Sequence, residues 1–403
     1  MGDRNAVGEC NRFLNHGLQR QVTTSQCRII INIKVFGCTK QQALVKKQGI
    51  HAVGEVCDRI NTTAHTKMKR VGAAPPPSAR HDPRRHEGYR VLCVDFDPQA
   101  TLSHSMGLNN VSEENTVWGI MARDLVRQTD AQNNASKGAA SGTALPHRTI
   151  PSSIIDLGLQ DLRVADFIQS TNWPTIDLIP SCTNAAFVEF ASAQYCHLNP
   201  EWSFFAAVSR FLNHLPDDQW DLIFFDCPPV IGYQSMNAVF AADMLYVPSG
   251  PGYWEYDSTT SFIGQLYEAL EDLAHGFGDT LSADKVTLPK VFHDIRFLLT
   301  RYEPGNDLHR AMQGAFGKVF GDKLATHPVE MTRAVEQSGR FLSSIYEMDY
   351  RDMTRETWRR ARASFDQAYG EFRDVMLPHW ETFDAPPDQT LSADKVAPEG
   401  ENA

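Results

Sequence analysis

Two apolar segments that end in aspartate and run into proline constrain the fold of this chain more than any other feature. The first reads VLCVDFDP, with Asp95 and Asp97 ahead of Pro98, and the second reads LIFFDCPP, with Asp226 ahead of two prolines. Uninterrupted apolar runs of this length are typical of strands that are buried on both faces of a sheet. Proline has no N–H for a sheet ladder, so each strand is predicted to stop there with its acids at the strand end.

Acids at the tips of buried strands have two interpretations. They can organise a magnesium ion beside nucleotide phosphates, as the Walker B acid does, or they can cap a following helix. Because ligands bind at the carboxyl ends of strands in open α/β sheets, two such strands in one chain favour the first interpretation.

The rest of the chain alternates short apolar runs with segments of helical periodicity. This alternation predicts an α/β domain with a mainly parallel sheet flanked by helices. The predicted strands are residues 90–95, 175–180 (at an exposed sheet edge), 221–226, 244–248 and 295–301, and the predicted helices are 234–242, 256–274, 307–319, 329–336 and 354–375.

Charge and composition divide the chain of 403 residues into three parts. Residues 1–90 hold 16 lysines and arginines against 6 acids, whereas the whole chain carries a net charge of −11. We therefore predict an irregular, basic N-terminal region over 1–87 with a first strand near 28–34, and an α/β domain over 88–380. That domain has a surface loop insertion near 130–151, and a Pro-rich, disordered tail follows over 381–403.

The composition also excludes several classes of protein. No apolar run is long enough to cross a membrane, and the N-terminus lacks the pattern of a secretory signal. The 8 cysteines are scattered without a CxxC pair and the 14 histidines form no HExxH motif. We expect a cytoplasmic protein with reduced thiols and no zinc site.

Three segments carry a specific resemblance. The segment GYRVLCVDFDPQATLS (88–103) resembles the corresponding stretch of ParA-type partition ATPases, as do WDLIFFDCPP (220–229) and NAVFAAD (237–243). The segment FLLTRYEP (297–304) and the stretch 312–372 are similar to the RepA proteins of repABC operons. On these motifs, over about residues 86–380, the chain is identified as a member of the ParA/MinD-type deviant Walker A ATPases.

The resemblance implies a fold and an activity. The fold is a three-layer P-loop NTPase-like domain, and the cofactors are ATP and Mg²⁺. The activity is ATP-dependent dimerisation to a homodimer, non-specific DNA binding by that dimer, and slow hydrolysis stimulated by a ParB/RepB-type partner. Plasmid or chromosome copies are thereby separated, in a nucleoid-associated cytoplasmic location.

The resemblance also implies roles for particular residues. Asp97 matches the acid that orients the attacking water, Asp95 a companion acid near the metal, and Asp226 the Walker B acid. On the base side of the nucleotide, four residues match positions that border the adenine: Pro248, Pro251, Thr300 and Arg301.

The phosphate-binding loop of the family, KGGxGKT, has no intact counterpart. No Gly-Lys pair is followed by serine or threonine, and the nearest match is Lys34, with Thr39 and Lys40 as further candidates. Val35 and Phe36 stand where glycines would let the backbone approach the phosphates. Lys34 and Gly88 are 54 residues apart, whereas twenty-odd residues suffice in the family.

Three explanations for residues 35–87 remain open: a disrupted or frameshifted coding sequence, an insertion, or a divergent domain. In the last case, residues 53–70 could form a basic helix-turn-helix. Two functional hypotheses follow. The chain is either an ATP-dependent partition protein or a non-catalytic relative that binds DNA without ATP turnover.

Two further groups of side chains carry an expectation. Tyr253 and Trp254, which follow the proline loop, are expected to be packing aromatics rather than to stack on nucleic acid. The arginines of the last helix form either a solvated face or a DNA-phosphate contact surface; they are Arg351, Arg355, Arg359, Arg360 and Arg362.

Overall fold

A computed structural model of the protein describes residues 28–33, 90–135, 163–198, 204–283 and 290–376, except positions 174, 217, 218, 229, 291, 342, 343, 347 and 349–352. Lys34, Thr39, Lys40 and the possible helix-turn-helix at 53–70 lie outside the described residues, as does the tail.

Seven strands within the described residues form one sheet in the order β3-β4-β2-β5-β1-β6-β7. The strands are β1 (Arg28–Ile33), β2 (Val91–Asp95), β3 (Gln169–Ser170), β4 (Ile176–Ile179), β5 (Leu222–Cys227), β6 (Met244–Ser249) and β7 (Asp294–Leu299). All neighbouring pairs are parallel except β3 and β4. The first strand of the chain therefore lies inside the sheet, between β5 and β6.

Nine helices connect and cover the described strands. They are α1 (Thr101–Ser105), α2 (Val117–Ala135), α3 (Phe187–Leu198), α4 (Ala207–Leu212), α5 (Tyr233–Ala241), α6 (Tyr253–Ala283), α7 (Asp307–Phe320), α8 (Arg333–Phe341) and α9 (Arg355–Met376). No helix of the described part combines the length and the apolar character needed to cross a membrane.

The core has two layers because each strand buries alternate side chains on opposite faces of the sheet. Leu92 and Val94 of β2 pack into the larger cluster, together with residues of helices α2 to α7. Val91 and Cys93 point to the other face, which α1 and α9 cover; α8 and α9 close that face beside β7. The three-layer fold with a mainly parallel sheet is thus confirmed.

Four details differ from the sequence-based expectations. Strand β4 is not at the edge, because the two-residue β3 pairs with its outer side. The helix expected at 329–336 begins only at Arg333, since Tyr302 and Glu330 form a parallel bridge before it. Helix α2 continues to Ala135, so the first residues of the expected loop insertion are helical. Helices α1 to α4 were not predicted.

Candidate functional site

The carboxyl ends of β2, β5 and β1 meet at the centre of the sheet. Asp95 lies directly opposite Asp226 in the register of β2 and β5, and Asp226 lies opposite Asn32 on its other side. Neighbouring strands are about 4.8 Å apart, so the two acids are adjacent. Strand β1 ends at Ile33, so the chain leaves the sheet beside Asp226 exactly one residue before Lys34.

Asp95 holds the loop that follows β2. Its Oδ1 accepts a hydrogen bond from the Asp97 N–H at 3.0 Å. Its Oδ2 accepts bonds from the N–H and the hydroxyl of Ser103, at 2.9 and 2.8 Å. Ser103 Oγ in turn accepts the N–H of Ser181, at the end of β4. Asp95 is fully buried, so the geometry shows a carboxylate that positions the loop around Asp97.

Asp97 lies on a tight turn at the start of α1. Its Oδ1 accepts the N–H of Gln99 at 2.9 Å, and its carbonyl accepts the N–H of Ala100 at 2.7 Å. Ala100 has a φ of 49°, a left-handed conformation that costs a residue with a Cβ about 1–2 kcal/mol. Asp97 itself is half-buried and follows the carboxyl end of β2, where open α/β sheets have their ligand crevice.

The loops after β6 and β7 form the opposite rim of this crevice. Thr300 donates both its N–H and its hydroxyl to the Ser249 carbonyl, at 2.8 and 3.3 Å. The Arg301 guanidinium pairs with Glu255 at 3.2 Å. Pro248 and Pro251 flank the same turn. Thr300 and Arg301 are therefore held against the segment that carries both prolines.

Two glycines make room for the Arg301–Glu255 pair. A Cβ on Gly250 would lie 2.5 Å from an Arg301 guanidinium nitrogen, and a Cβ on Gly252 would collide with the Glu255 carboxylate. Arg301 has a φ of 57°, and its Nε is buried without a hydrogen-bond partner in the described part of the chain.

The metal side of the site rests on few protein ligands. Within the described ranges, no three His, Cys, Asp or Glu side chains are grouped so as to hold a metal ion. Asp226 and Asp95 together supply two carboxylates. This set suits Mg²⁺ only where phosphate oxygens and water complete its coordination.

Tyr253 and Trp254 pack against each other edge to face at the start of α6. They are nevertheless 59% and 63% exposed. This position, immediately after Gly252, lies outside the two layers of the hydrophobic core.

The arginines of α9 divide into two groups. Arg360 pairs with Glu330, and Arg362 lies over the rings of Tyr346 and Trp358. Arg355 and Arg359 are exposed, and Arg351 lies outside the described residues.

Sequence reasoning missed Gln234 and Glu189, which contact the site from α5 and α3. No local motif singles out a glutamine two residues after a glycine or a glutamate in the first turn of a helix. Only the contacts across the fold reveal them.

Comparison with known proteins shows what the chain is similar to. A family model described as an AAA domain matches residues 121–276. The chain is 23% identical to replication protein A of Rhizobium rhizogenes over 300 residues, which covers 73% of this chain but 63% of that relative. It is 23% identical over 237 residues to the chromosome partitioning protein ParA of Caulobacter vibrioides, covering 59% of this chain and 67% of that protein.

A solved structure shares the fold. The McdA–ATP complex from Cyanothece aligns with 87% of this chain and 97% of its own, with a TM-score of 0.51 and 13% identity. At that identity the likeness concerns the fold alone. Together with the motifs, the matches support the resemblance to ParA/MinD-type deviant Walker A proteins. Among the relatives, the chain is similar to replication protein A of two rhizobia, and it spans less than two thirds of their length.

Proposed function

We propose that this chain is a partition protein of the ParA/RepA type, which acts in the cytoplasm in association with the nucleoid. There it would separate plasmid or chromosome copies. One observation carries the proposal. The two strand-end acids are neighbours at the centre of a parallel sheet, where β1 also ends. The relatives named for replication and partitioning support the same role. We assign the α/β domain to residues 88–380, to which the N-terminal region 1–87 contributes β1, with 381–403 as a tail.

The proposed ligand is ATP with Mg²⁺. Asp226 would face the metal and its waters, Asp97 would orient a water for attack on the terminal phosphate, and Asp95 would position Asp97. Thr300 and Arg301 would border the base from one side, with Pro248 and Pro251 on the other. Bound Mg²⁺ would neutralise phosphate charge. Lys34, Thr39 and Lys40 are the proposed phosphate contacts.

The exposed apolar side chains support a homodimer formed through the same face. In the described part of the chain, seven large apolar residues are exposed, and all lie beyond the carboxyl ends of the strands; they are Phe187, Phe190, Val230, Tyr253, Trp254, Leu308 and Met331. Exposed apolar side chains at one end of a fold suit a protein interface where they come together in one patch. A second copy of this chain, or the proposed ParB/RepB-type partner, would cover them.

Non-specific DNA binding is proposed for α9. Arg355 and Arg359 are exposed four residues apart, and therefore lie on one helix face. Exposed arginines on one face of a helix suit contact with DNA phosphates, which is strongly salt-dependent.

A second candidate function is a non-catalytic relative that binds DNA without ATP turnover. It is favoured because a single glycine follows Lys34 where the phosphate-binding loop of the family has several. Without a cradle of backbone N–H groups and lysines, the carboxylates repel a triphosphate. For the chain as it stands, we expect weak or no MgATP binding and negligible hydrolysis, with partner and DNA present.

Titration of the purified full chain with a fluorescent ATP analogue and Mg²⁺ separates the two candidates. Micromolar affinity supports the ATP-dependent protein and would overturn our expectation for this chain. Absence of binding supports the non-catalytic relative, provided that double-stranded DNA is still bound. Two variants serve as controls: Asp97→Ala, which should leave nucleotide affinity unchanged, and a chain with Lys-Gly-Gly-x-Gly-Lys-Thr and its helix in place of residues 34–87, which should restore it.

A further inference from the structure

Glu189 occupies the N-terminal end of α5. Its Oε2 accepts the N–H of Tyr233 and its Oε1 accepts the N–H of Gln234, both at 2.9 Å. A Cβ on Gly232 would lie 2.7 Å from Oε1, so glycine is what allows the carboxylate to sit there. The first N–H groups of a helix have no partner within the helix, and the helix dipole favours a negative charge beside them. The carboxylate of α3 thus fixes the start of α5.

Gln234 links the start of α5 to the loop after β2. Its side chain is buried, and Nε2 donates to the Phe96 carbonyl at 2.6 Å. Phe96 is also fixed by its N–H, which donates to the Asp226 carbonyl at 2.8 Å, and by an edge-to-face contact with Phe225.

The peptide unit between Phe96 and Asp97 is therefore held at both of its polar atoms. Gln234 binds its oxygen, and Asp95 accepts its N–H. A peptide is planar, so fixing both atoms sets the direction of the backbone at Asp97. The backbone direction in turn sets the position of the Asp97 side chain.

Glu189 lies beneath the exposed face of α3. Phe187 and Phe190 flank it in the sequence, with 47% and 72% of their surfaces exposed. Val230 is exposed just ahead of Gly232. These three residues belong to the face that we proposed a second copy of the chain would cover. A contact there would act directly on α3, the helix that carries Glu189.

We propose that Glu189 and Gln234 are positioning residues that couple the α3 face to the orientation of Asp97. The inference rests on the proposed function in one respect: in that function Asp97 orients a water molecule. The bonds of Glu189 and Gln234 are already formed while the α3 face is uncovered. Association at α3 would hold α3 in place and so keep Asp97 in the orientation that these bonds set.

Hydrogen exchange of backbone amides in the full chain, read by mass spectrometry, tests the link without requiring nucleotide. The reporters are the Asp97, Gln99, Ala100 and Ser103 amides, whose hydrogen bonds define the loop. In Gln234→Met, which keeps the volume of the side chain but removes its donor, these amides should exchange about tenfold faster. Glu189→Gln should produce the same local increase, while the amides of β6 and β7 keep their rates.

Two controls separate positioning from packing. Glu271→Gln, on the exposed side of α6, should leave the loop rates unchanged. The carbonyl ¹³C shift of Phe96 should move in Gln234→Met, because that shift reports the lost hydrogen bond.

If Gln234→Met matches the unmodified chain and only Gln234→Ala alters the loop, Gln234 acts by packing and the proposal is overturned. Equal acceleration across the whole domain would also overturn it. Neither result bears on the nucleotide titration described above, so failure of the link and failure of the proposed function are distinguishable.

Discussion

Replacing Asp95 by asparagine should destabilise the folded chain by about 2–4 kcal/mol. The buried carboxylate accepts three hydrogen bonds, one from Asp97 and two from Ser103. Asparagine has one acceptor oxygen, which can keep the two bonds from Ser103, but its NH₂ group then faces the Asp97 N–H. A buried donor without a partner costs about 1–3 kcal/mol, and the remaining bonds lose their charge assistance.

Urea unfolding of the full chain measures this change as a lower midpoint at an unchanged slope. Asp374→Asn is the matched control, because Asp374 forms only an exposed pair with Arg373 and its loss should change stability by less than about 0.5 kcal/mol. In a double-mutant cycle with Ser103→Ala, the two changes should couple by about 1 kcal/mol or more.

The opposite result would refute this reasoning. Removing a buried charge can stabilise a protein when that charge is poorly compensated. If Asp95→Asn were as stable as the unmodified chain or more stable, Asp95 would not be held for the sake of the loop. Its carboxylate would then serve the metal, which is the role that the family resemblance implies.

Three further predictions concern Ala100, Lys290 and the Arg301–Glu255 pair. Ala100→Gly should change stability by about 1 kcal/mol in the favourable direction, because glycine adopts the left-handed φ without strain; a lower urea midpoint would contradict this. Burial lowers the pKa of Lys290 to about 8, against the opposing charge of Asp243. The unfolded chain therefore binds more protons between about pH 8 and 10.5, and stability should rise with pH over that window by about 1–3 kcal/mol. Lys290→Met should abolish that rise in urea midpoints measured at pH 7.5 and 10. The Arg301–Glu255 pair should show a coupling energy of about 1 kcal/mol in a cycle of alanine variants measured by thermal unfolding, and additive effects would show that the rim is not held by this pair.

Much of the fold could be predicted because it depends on local patterns. Apolar runs of five or six residues specify strands buried on both faces, and the prolines after Asp97 and Asp226 mark where those strands stop. Helices with a clear apolar stripe, such as α7 and α9, were predicted within a few residues. The short α1 and α4 were not, because one or two helical turns have too little periodicity to be recognised.

The sequence by itself determined that Asp95 and Asp226 lie at strand ends, since that depends only on neighbours along the chain. Only the tertiary structure decided what surrounds them. The insertion of β1 between β5 and β6 and the bond from Gln234 to Phe96, 138 residues away, depend on which strands pair. The exposure of Tyr253 and Trp254 was likewise decided by packing, because an aromatic pair at the start of a helix has the same local pattern whether or not another surface covers it.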